Sequence, residues 1–246
     1  MSSLQLQLSS TNADSKNDNE YIYYIPSASI PADVQEHIYI SVQSAVIPYS
    51  FYNINRFNNT LYYSLSSNNV EQYFSLPLGN YNIKDLVSYF NENFTGFTTT
   101  FDKQTNKLAF QNNSYLNFTF YPKSTIYNVL GFTNGLIYNS EGGYLSSRNS
   151  VNFNSIQYVN IKSNLNTNSL SKYNLNDRRT LCSIPVYLNP TGVLNYQNSN
   201  NFRINTFTNS ITELSISFTD QNGNNIDFNG CQWSLVFQFD IVNYVE

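Results

Sequence analysis

Few residues of this 246-residue chain could carry acid–base or nucleophilic chemistry. The single histidine is His37, which follows Glu36 just ahead of a predicted strand. One histidine cannot build a clustered histidine metal site, and beside a strand it is more often a surface residue than a catalytic base. No GxGxxG or GxxxxGKS/T pattern occurs, so the loops that cradle phosphates are missing. We therefore expect no enzyme, no catalytic residue and no cofactor. A hydrolase built on two carboxylates distant in sequence stays open as an alternative.

The two cysteines, Cys182 and Cys231, stand alone in the sequence and form no CxxC pair. A metal site made of thiolates alone is therefore excluded. The two residues are compatible with one disulfide, but two unpaired, buried thiols are the favoured interpretation.

The stretch from Asp220 to Asp227 places oxygen-bearing side chains at alternate positions, as at the start of a calcium-binding loop. Its glycine is the fourth residue, where such a loop has glycine sixth, and the twelfth position is Cys231, where a bidentate glutamate is expected. A tight hairpin turn at Asn222-Gly223 explains the same residues. We predict a hairpin here and no metal site.

Charged residues make up 11% of the chain, against roughly 25% in ordinary soluble proteins. The net charge is −4, and the densest basic spot is the pair Arg178-Arg179. A nucleic-acid binder normally carries a basic stripe, so we expect no direct contact with nucleic acid. We also expect no membrane span and no secretory signal, because no apolar run approaches ~20 residues and the N-terminus lacks a basic region followed by an apolar stretch.

Alternation of apolar and polar residues predicts the elements that would carry any site. The pattern is clear at 38–42, 116–120 and 214–218. It is strongest from Trp233 to Ile241, where every second residue is large and apolar. Shorter runs of this kind lie at 21–25, 60–66, 72–78, 107–111, 156–161 and 184–188. Many short strands with one buried face, separated by polar turns, indicate an antiparallel sandwich or barrel.

Only two stretches have helical spacing. In the segment 82–94 the apolar residues fall on one helix face, with Asn82 as N-cap and Asp85 three residues on. A second, shorter helix is predicted between Ser124 as its cap and Gly131 as its end. The 41 asparagines suit a protein rich in turns, since asparagine tolerates left-handed backbone conformations and bonds its own backbone.

The chain divides into an N-terminal segment and one domain. Residues 1–20 are predicted to be a flexible arm, whose alternating Leu4, Leu6 and Leu8 could add to the sheet edge of a neighbour. A disordered terminus is the alternative. Residues 21–246 are predicted to form a single domain, in which the polar segment 139–210 is interpreted as a loop-rich insertion.

Aromatic residues are abundant, with 21 Tyr and 18 Phe. Most are expected to fill the core of the sandwich. Tyr39 and Tyr121, however, fall on the solvent-facing side of their predicted strands. Tyrosine is enriched at protein–protein contacts, and together with the low charge this favours a protein that packs against neighbours.

The sequence resembles the minor capsid, or penton, proteins of virophages and Polinton-like viruses. The similar segments are QSAVIPYSFYNINRFNNTLYYSL (43–65), LPLGNYNIKDLVSYFNENF (76–94), YNVLGF (127–132) and the C-terminal pair of strands at 215–242. The first contains a strand that ends in Ile-Pro-Tyr-Ser-Phe-Tyr-Asn-Ile. The second contains a Gly-Asn-Tyr turn that leads into an amphipathic helix, and the last is a hairpin. Together they cover roughly half of the chain and reach towards both ends.

The resemblance implies an all-β chain, a single jelly-roll β-sandwich with one short amphipathic helix and long surface loops. It implies a structural virion protein, five copies of which form the pentameric capsomer at each fivefold vertex and contact the major capsid protein. It carries no catalytic residue, no metal ligand and no cofactor, and it places assembly in the host cytoplasm. Two alternatives stay open: a carbohydrate-binding or host-attachment module that recognises a host-surface glycan, and a minor cement protein between capsomers.

Overall fold

The computed structural model describes residues 2–17, 19–26, 30, 36–165, 179–208 and 210–243. The chain folds into two compact units. The first contains the residues up to Phe51 and those from Ile156 onward, and the second is the segment Tyr52–Ser155.

Within the described residues the chain forms seventeen strands and two helices. In chain order they are β1 (Ser2–Ser9), β2 (Ser15–Asn17), β3 (Glu20–Tyr24), β4 (Glu36–Pro48), β5 (Thr60–Leu65), β6 (Gln72–Ser75), α1 (Ile83–Asn93), β7 (Phe97–Asp102), β8 (Lys107–Asn112), β9 (Phe118–Phe120), α2 (Tyr127–Leu130), β10 (Tyr138–Asn139), β11 (Tyr144–Ser146), β12 (Tyr158–Ser163), β13 (Thr180–Pro185), β14 (Val193–Gln197), β15 (Ile204–Asn205), β16 (Glu213–Thr219) and β17 (Ser234–Asn243).

The first unit contains two antiparallel sheets. One has the order β1-β17-β4-β14, with β15 also paired to β4, and the other has the order β13-β12-β16-β3-β2. Their buried residues form one hydrophobic cluster, to which both sheets contribute. This unit is therefore a two-sheet sandwich, and the predicted all-β class is confirmed.

Alternation along β17 and β4 builds one side of this core. From Trp233 to Ile241 every second residue of the C-terminal strand is buried, as predicted. Strand β4 buries Ile38, Ile40 and Val42, then shifts phase to bury Ala45 and Ile47. The phase shift lies at a bulge, because the register moves by one residue between Val236 and Phe237 of β17. The bulge keeps the apolar side chains of this thirteen-residue strand on the core side throughout.

The second unit has two smaller antiparallel sheets, β10-β9-β5-β6 and β11-β8-β7, together with both helices. Its core is mostly aromatic. The buried phenylalanines are Phe90, Phe94, Phe97, Phe110, Phe118, Phe120 and Phe132. Phe94 and Phe97 stack face to face with ring centroids 4.2 Å apart, while most neighbouring pairs meet edge to face. Leu116 was predicted in the same strand as Phe118, but β9 begins only at Phe118 and the Leu116 side chain is exposed.

The capping predicted for α1 is present. The Asn82 side chain accepts hydrogen bonds from the N–H groups of Lys84 (2.9 Å) and Asp85 (3.1 Å), and the Asp85 carboxylate accepts the N–H of Asn82 (3.5 Å). This reciprocal arrangement satisfies N–H groups that the first helical turn leaves unpaired.

The capping predicted for α2 is wrong. The residue before this helix is Ile126, which makes no side-chain cap, and the Ser124 hydroxyl instead accepts the N–H of Tyr62 (2.9 Å). The predicted end of α2 is correct: Gly131 has φ +83°, and a Cβ there would overlap the carbonyl oxygen of Asn149. Only glycine fits both constraints.

The predicted boundaries at 1–20, 21–246 and 139–210 do not coincide with the two units. Residues 2–9 form an edge strand, in which Leu4, Leu6 and Leu8 face Phe239, Phe237 and Leu235 across the ladder. These leucines extend the apolar side of β17, which explains why the segment is held by its own chain. The segment that interrupts the sandwich is Tyr52–Ser155, whereas much of 139–210 belongs to the sandwich itself.

Candidate interaction surfaces

His37 and the Arg178-Arg179 pair are the charged or titratable residues that the sequence analysis considered for catalysis and for nucleic-acid binding. His37 is within β4, opposite Val242 of β17, not ahead of the strand as predicted. Arg179 directly precedes β13, and Arg178 lies outside the described residues. Within the described ranges, no three His, Cys, Asp or Glu side chains are grouped so that they could hold a metal ion. In the same ranges, none of the helices has the length and apolar character needed to cross a membrane.

The two cysteines are free thiols in different surroundings. Cys182 is partly buried in β13, and burial raises the pKa of its thiol against the opposing effect of a hydrogen bond with Tyr196. The pKa of Tyr196 rises to about 12, first through burial and then through this contact with Cys182. Cys231 is exposed. The prediction of unpaired thiols is correct, but the prediction that both are buried is wrong for Cys231, because it follows the Asn229-Gly230 turn on the surface.

The stretch from Asp220 to Asp227 forms the predicted turn. The buried Asp220 carboxylate accepts the backbone N–H groups of Asn222 (2.8 Å) and Asn224 (2.9 Å) and the side-chain amide of Asn224 (2.9 Å). Gly223 has φ +84°, and Thr219 pairs with Asn225 across the turn. The carboxylate thus accepts its hydrogen bonds from the loop that surrounds it, as in an Asx turn.

A cluster of tyrosines lies on the outer side of the β10-β9-β5-β6 sheet. Tyr62 of β5 and Tyr73 of β6 are cross-strand partners with ring centroids 6.0 Å apart. The Lys123 ammonium group lies 4.3 Å from the centroid of Tyr62 and forms an ion pair with Glu71. On the neighbouring strand end the Tyr121 hydroxyl bonds Ser64 (2.8 Å). Tyr73 is 69% exposed, so this cluster presents an aromatic ring beside a compensated charge pair.

A second exposed aromatic residue lies on a hydrogen-bonded loop in the same unit. Tyr115 has φ +57° and is 74% exposed. The buried Asn112 fixes its loop: its side-chain oxygen accepts the N–H groups of Ser114 (3.0 Å) and Leu116 (3.2 Å), and its amide donates to Gly96 (3.2 Å). A large residue in the left-handed region is uncommon, because this backbone conformation is unfavourable for a residue with a bulky side chain.

The outer side of the sheet that contains β17 has one buried charge. Asp240 accepts hydrogen bonds from the Ser3 hydroxyl (2.6 Å), the Gln238 amide (2.8 Å) and the Arg203 guanidinium (3.4 Å). Burial opposes ionisation, but these donors together hold the pKa of Asp240 below its ordinary value. The Arg203 guanidinium also lies 4.9 Å from the ring centroid of Tyr39. Tyr39, predicted on the solvent-facing side of its strand, is therefore covered by a cation.

These features define a class: an antiparallel β-sandwich whose buried carboxylates, Asp220 and Asp240, are held by hydrogen bonds within the chain and which exposes several aromatic side chains. No protein-family model matches the sequence, and no curated protein matches it. Solved structures do match. The chain is similar to the crystal structure of the penton protein of mavirus, with a TM-score of 0.51 and 13% sequence identity over 98% of this chain and 100% of that one. At this identity the similarity shows the fold, and the resemblance to virophage penton proteins is confirmed at that level.

Sequence reasoning missed three of these features. The Asp240 cluster joins residues from three distant segments, and the tyrosine cluster depends on which strands become neighbours. Only the loop of Tyr115 had a local signal, the run Gln-Asn-Asn-Ser-Tyr, which is rich in residues that favour turns.

Proposed function

We propose that this protein is the penton subunit of an icosahedral virus capsid. Five copies form the pentameric capsomer at a fivefold vertex and contact the major capsid protein. The observation that carries the proposal is the similarity in fold to the mavirus penton protein, which extends over the full length of that chain and 98% of this one. The low charge and the exposed aromatic side chains support self-association, because copies can approach with little repulsion. In this proposal the protein resides in the virion, is assembled in the host cytoplasm and has no catalytic role.

The mass of the purified chain in solution tests the proposal. We expect light scattering to give five times the 28.3 kDa chain mass, and we expect the chain at fivefold vertices when it is co-assembled with the major capsid protein. A strictly monomeric chain that never enters particles would overturn the proposal. A position between capsomers in a reconstructed particle would favour the cement role instead.

The exposed tyrosine cluster favours one second candidate, recognition of a neutral host-surface glycan. Sugar rings pack on exposed aromatic faces, and Tyr73 offers one beside the Lys123–Glu71 pair. A glycan array with the wild-type chain and Tyr73→Ala tests this, with Tyr187→Ala as a control, because Tyr187 is equally exposed in the other unit. Selective binding lost only in Tyr73→Ala would support it. Absence of selective binding would refute it.

A further inference from the structure

We propose that the outer edges of β1 and β14 pair with each other between neighbouring copies of this chain. The inference rests on the proposed function in one respect, since it assumes that copies associate. The two strands lie at opposite ends of the path β1-β17-β4-β14. Among the described residues no strand pairs with the outer side of either. The proposal therefore assigns each free edge a definite occupant, the other edge of the next copy.

The hydrogen bonds at the end of β1 show which of its backbone groups face outward. The N–H of Ser10 donates to the carbonyl of Trp233 (3.1 Å), towards β17, while the N–H of Ser9 donates away from β17, to the Asn12 side chain (2.7 Å). Successive residues of an antiparallel strand point these groups to opposite sides. The N–H and C=O groups of Ser3, Gln5 and Gln7 therefore point away from β17.

The hydrogen bonds at the two ends of β14 show in the same way which of its backbone groups face outward. The N–H of Tyr49 donates to the carbonyl of Gly192 (2.8 Å), and the N–H of Asn198 donates to the carbonyl of Gln43 (2.9 Å), so the even-numbered residues face β4. The outward N–H groups of β14 are those of Val193, Asn195 and Gln197. Each edge thus offers three alternating outward N–H groups, centred on Gln5 in one strand and on Asn195 in the other, while the carbonyl of Gln197 accepts the N–H of Ser199 (3.0 Å).

Within the described part of the chain, neither edge has a charged residue, a proline or a covering strand that would block pairing. Exposed edge strands are usually protected by a charged residue, a proline or a covering segment. The sequences SSLQLQLS and VLNYQ contain no charge and no proline. Each edge also presents an apolar side chain, since Leu4 is 39% exposed and Val193 is 44% exposed. A strand added at either edge would cover backbone groups and apolar surface together.

The directions of the strands allow the two edges to meet head to tail around a ring. All pairs along the path of four strands are antiparallel, so β1 and β14 run in opposite directions. Rotation about an axis roughly parallel to the strands keeps their directions. The β1 strand of the next copy then lies antiparallel to β14, and each interface leaves one edge of each kind for the following copy. Such a head-to-tail contact closes into a ring when the rotation between neighbouring copies brings the last copy back against the first.

Proline substitutions test the inference in the full-length chain. Gln5→Pro and Asn195→Pro each remove an outward N–H without removing a hydrogen bond of the sheet within the subunit, and Gln5→Thr and Asn195→Thr are the matched controls. We expect both proline variants to fall from pentamer to monomer, a fivefold loss of mass in light scattering, and both threonine variants to remain pentameric. Near-ultraviolet circular dichroism equal to that of the wild type shows that the fold is retained.

A cross-linking experiment covers the case in which a proline variant does not fold. In a Cys182→Ala, Cys231→Ser background, Gln5→Cys combined with Asn195→Cys should give, after mild oxidation, a denaturing-gel ladder of up to five chains. Gln5→Cys alone should give no cross-link. Pentameric proline variants without a ladder would overturn edge pairing and leave the penton proposal intact. A dimer from Gln5→Cys alone would also overturn it, since β1 would then pair with itself. A wild type that is monomeric and never enters particles would overturn both proposals.

Discussion

Replacing Asp220 by alanine should loosen the turn that follows β16. The buried carboxylate accepts three hydrogen bonds, two from backbone N–H groups and one from the side chain of Asn224. A hydrogen bond to a charged group contributes about 1.5–3 kcal/mol, and an N–H left without an acceptor adds to the loss. Asn222 is exposed and Asn224 is partly exposed, so water replaces part of what is lost. We therefore expect Asp220→Ala to lower the free energy of unfolding by about 2–4 kcal/mol.

The only tryptophan of the chain, Trp233, reports directly on the unfolding of the first unit, to which Asp220 belongs. Trp233 is buried in the same cluster, with its ring 4.7 Å from that of Phe218, so its fluorescence follows unfolding in urea. The matched control is Asp227→Ala, because Asp227 is exposed and accepts one N–H, from Asn229 (2.8 Å). Its loss should stay below about 1 kcal/mol. A loss at Asp220 no larger than at Asp227 would refute the reasoning.

Two further measurements separate a turn from an ion site. Asp220→Asn keeps an acceptor for the backbone N–H groups but presents an amide to the Asn224 side chain, so its loss should be intermediate. Millimolar calcium should leave the urea midpoint of the wild type unchanged. A calcium-dependent rise that disappears in Asp220→Ala would show that the carboxylate is a ligand, contrary to the turn described above.

Three other outcomes are expected. Gly131→Ala should lower the free energy of unfolding, measured by heat or urea, by about 2 kcal/mol or more, because φ +83° and the adjacent carbonyl both exclude a Cβ. The control is Gly135→Ala, which should lower it by only about 1 kcal/mol, because Gly135 has φ +79° but open space around it. Asp240 has a lowered pKa, so its stabilising contribution is present above the ordinary aspartate pKa and is lost as the pH falls through its value in the folded state. Asp240→Asn should therefore flatten the acid limb of stability against pH, and an unchanged limb would contradict the network. Iodoacetamide at mildly alkaline pH should modify Cys231 well before Cys182, as read by mass spectrometry of the peptides, because burial shields the Cys182 thiol and raises its pKa.

Local patterns predicted most of the elements, because they require information from only a few neighbouring residues. The alternation from Trp233 to Ile241 identified a strand and its buried face, and the spacing after Asn82 identified a helix and its cap. The Asn222-Gly223 pair identified a turn that the structure contains. At α2 the same reasoning failed, since the Ser124 hydroxyl bonds a strand distant in sequence instead of the helix.

The pairing of segments that are distant in sequence could not be predicted from the sequence alone. Nothing in residues 2–9 shows that their partner is β17, which is distant in sequence, so their alternation alone predicts an arm that could add to a neighbour's sheet. Nor does composition mark Tyr52–Ser155 as a separate unit, because its strands have the same aromatic and asparagine-rich character as those of the sandwich. Both outcomes depend on which apolar faces meet, and that is decided by the whole chain.

Three asparagines show a structural reason for the unusual composition. Each uses its side-chain amide both to donate to and to accept from the backbone of a single residue, as a neighbouring strand would. The pairs are Asn53 with Tyr81 (2.8 and 2.9 Å), Asn91 with Thr99 (3.0 and 2.6 Å) and Asn198 with Phe202 (2.8 and 3.0 Å).

Neither a carboxylate nor an ammonium group can take this role, because the first only accepts and the second only donates. A chain that holds its loops in this way therefore has fewer charged residues, whether or not its copies associate. Low charge across the whole sequence is then a weaker sign of assembly than low charge at particular places. The places that matter are β1 and β14, where a single lysine would protect an exposed edge and none is present.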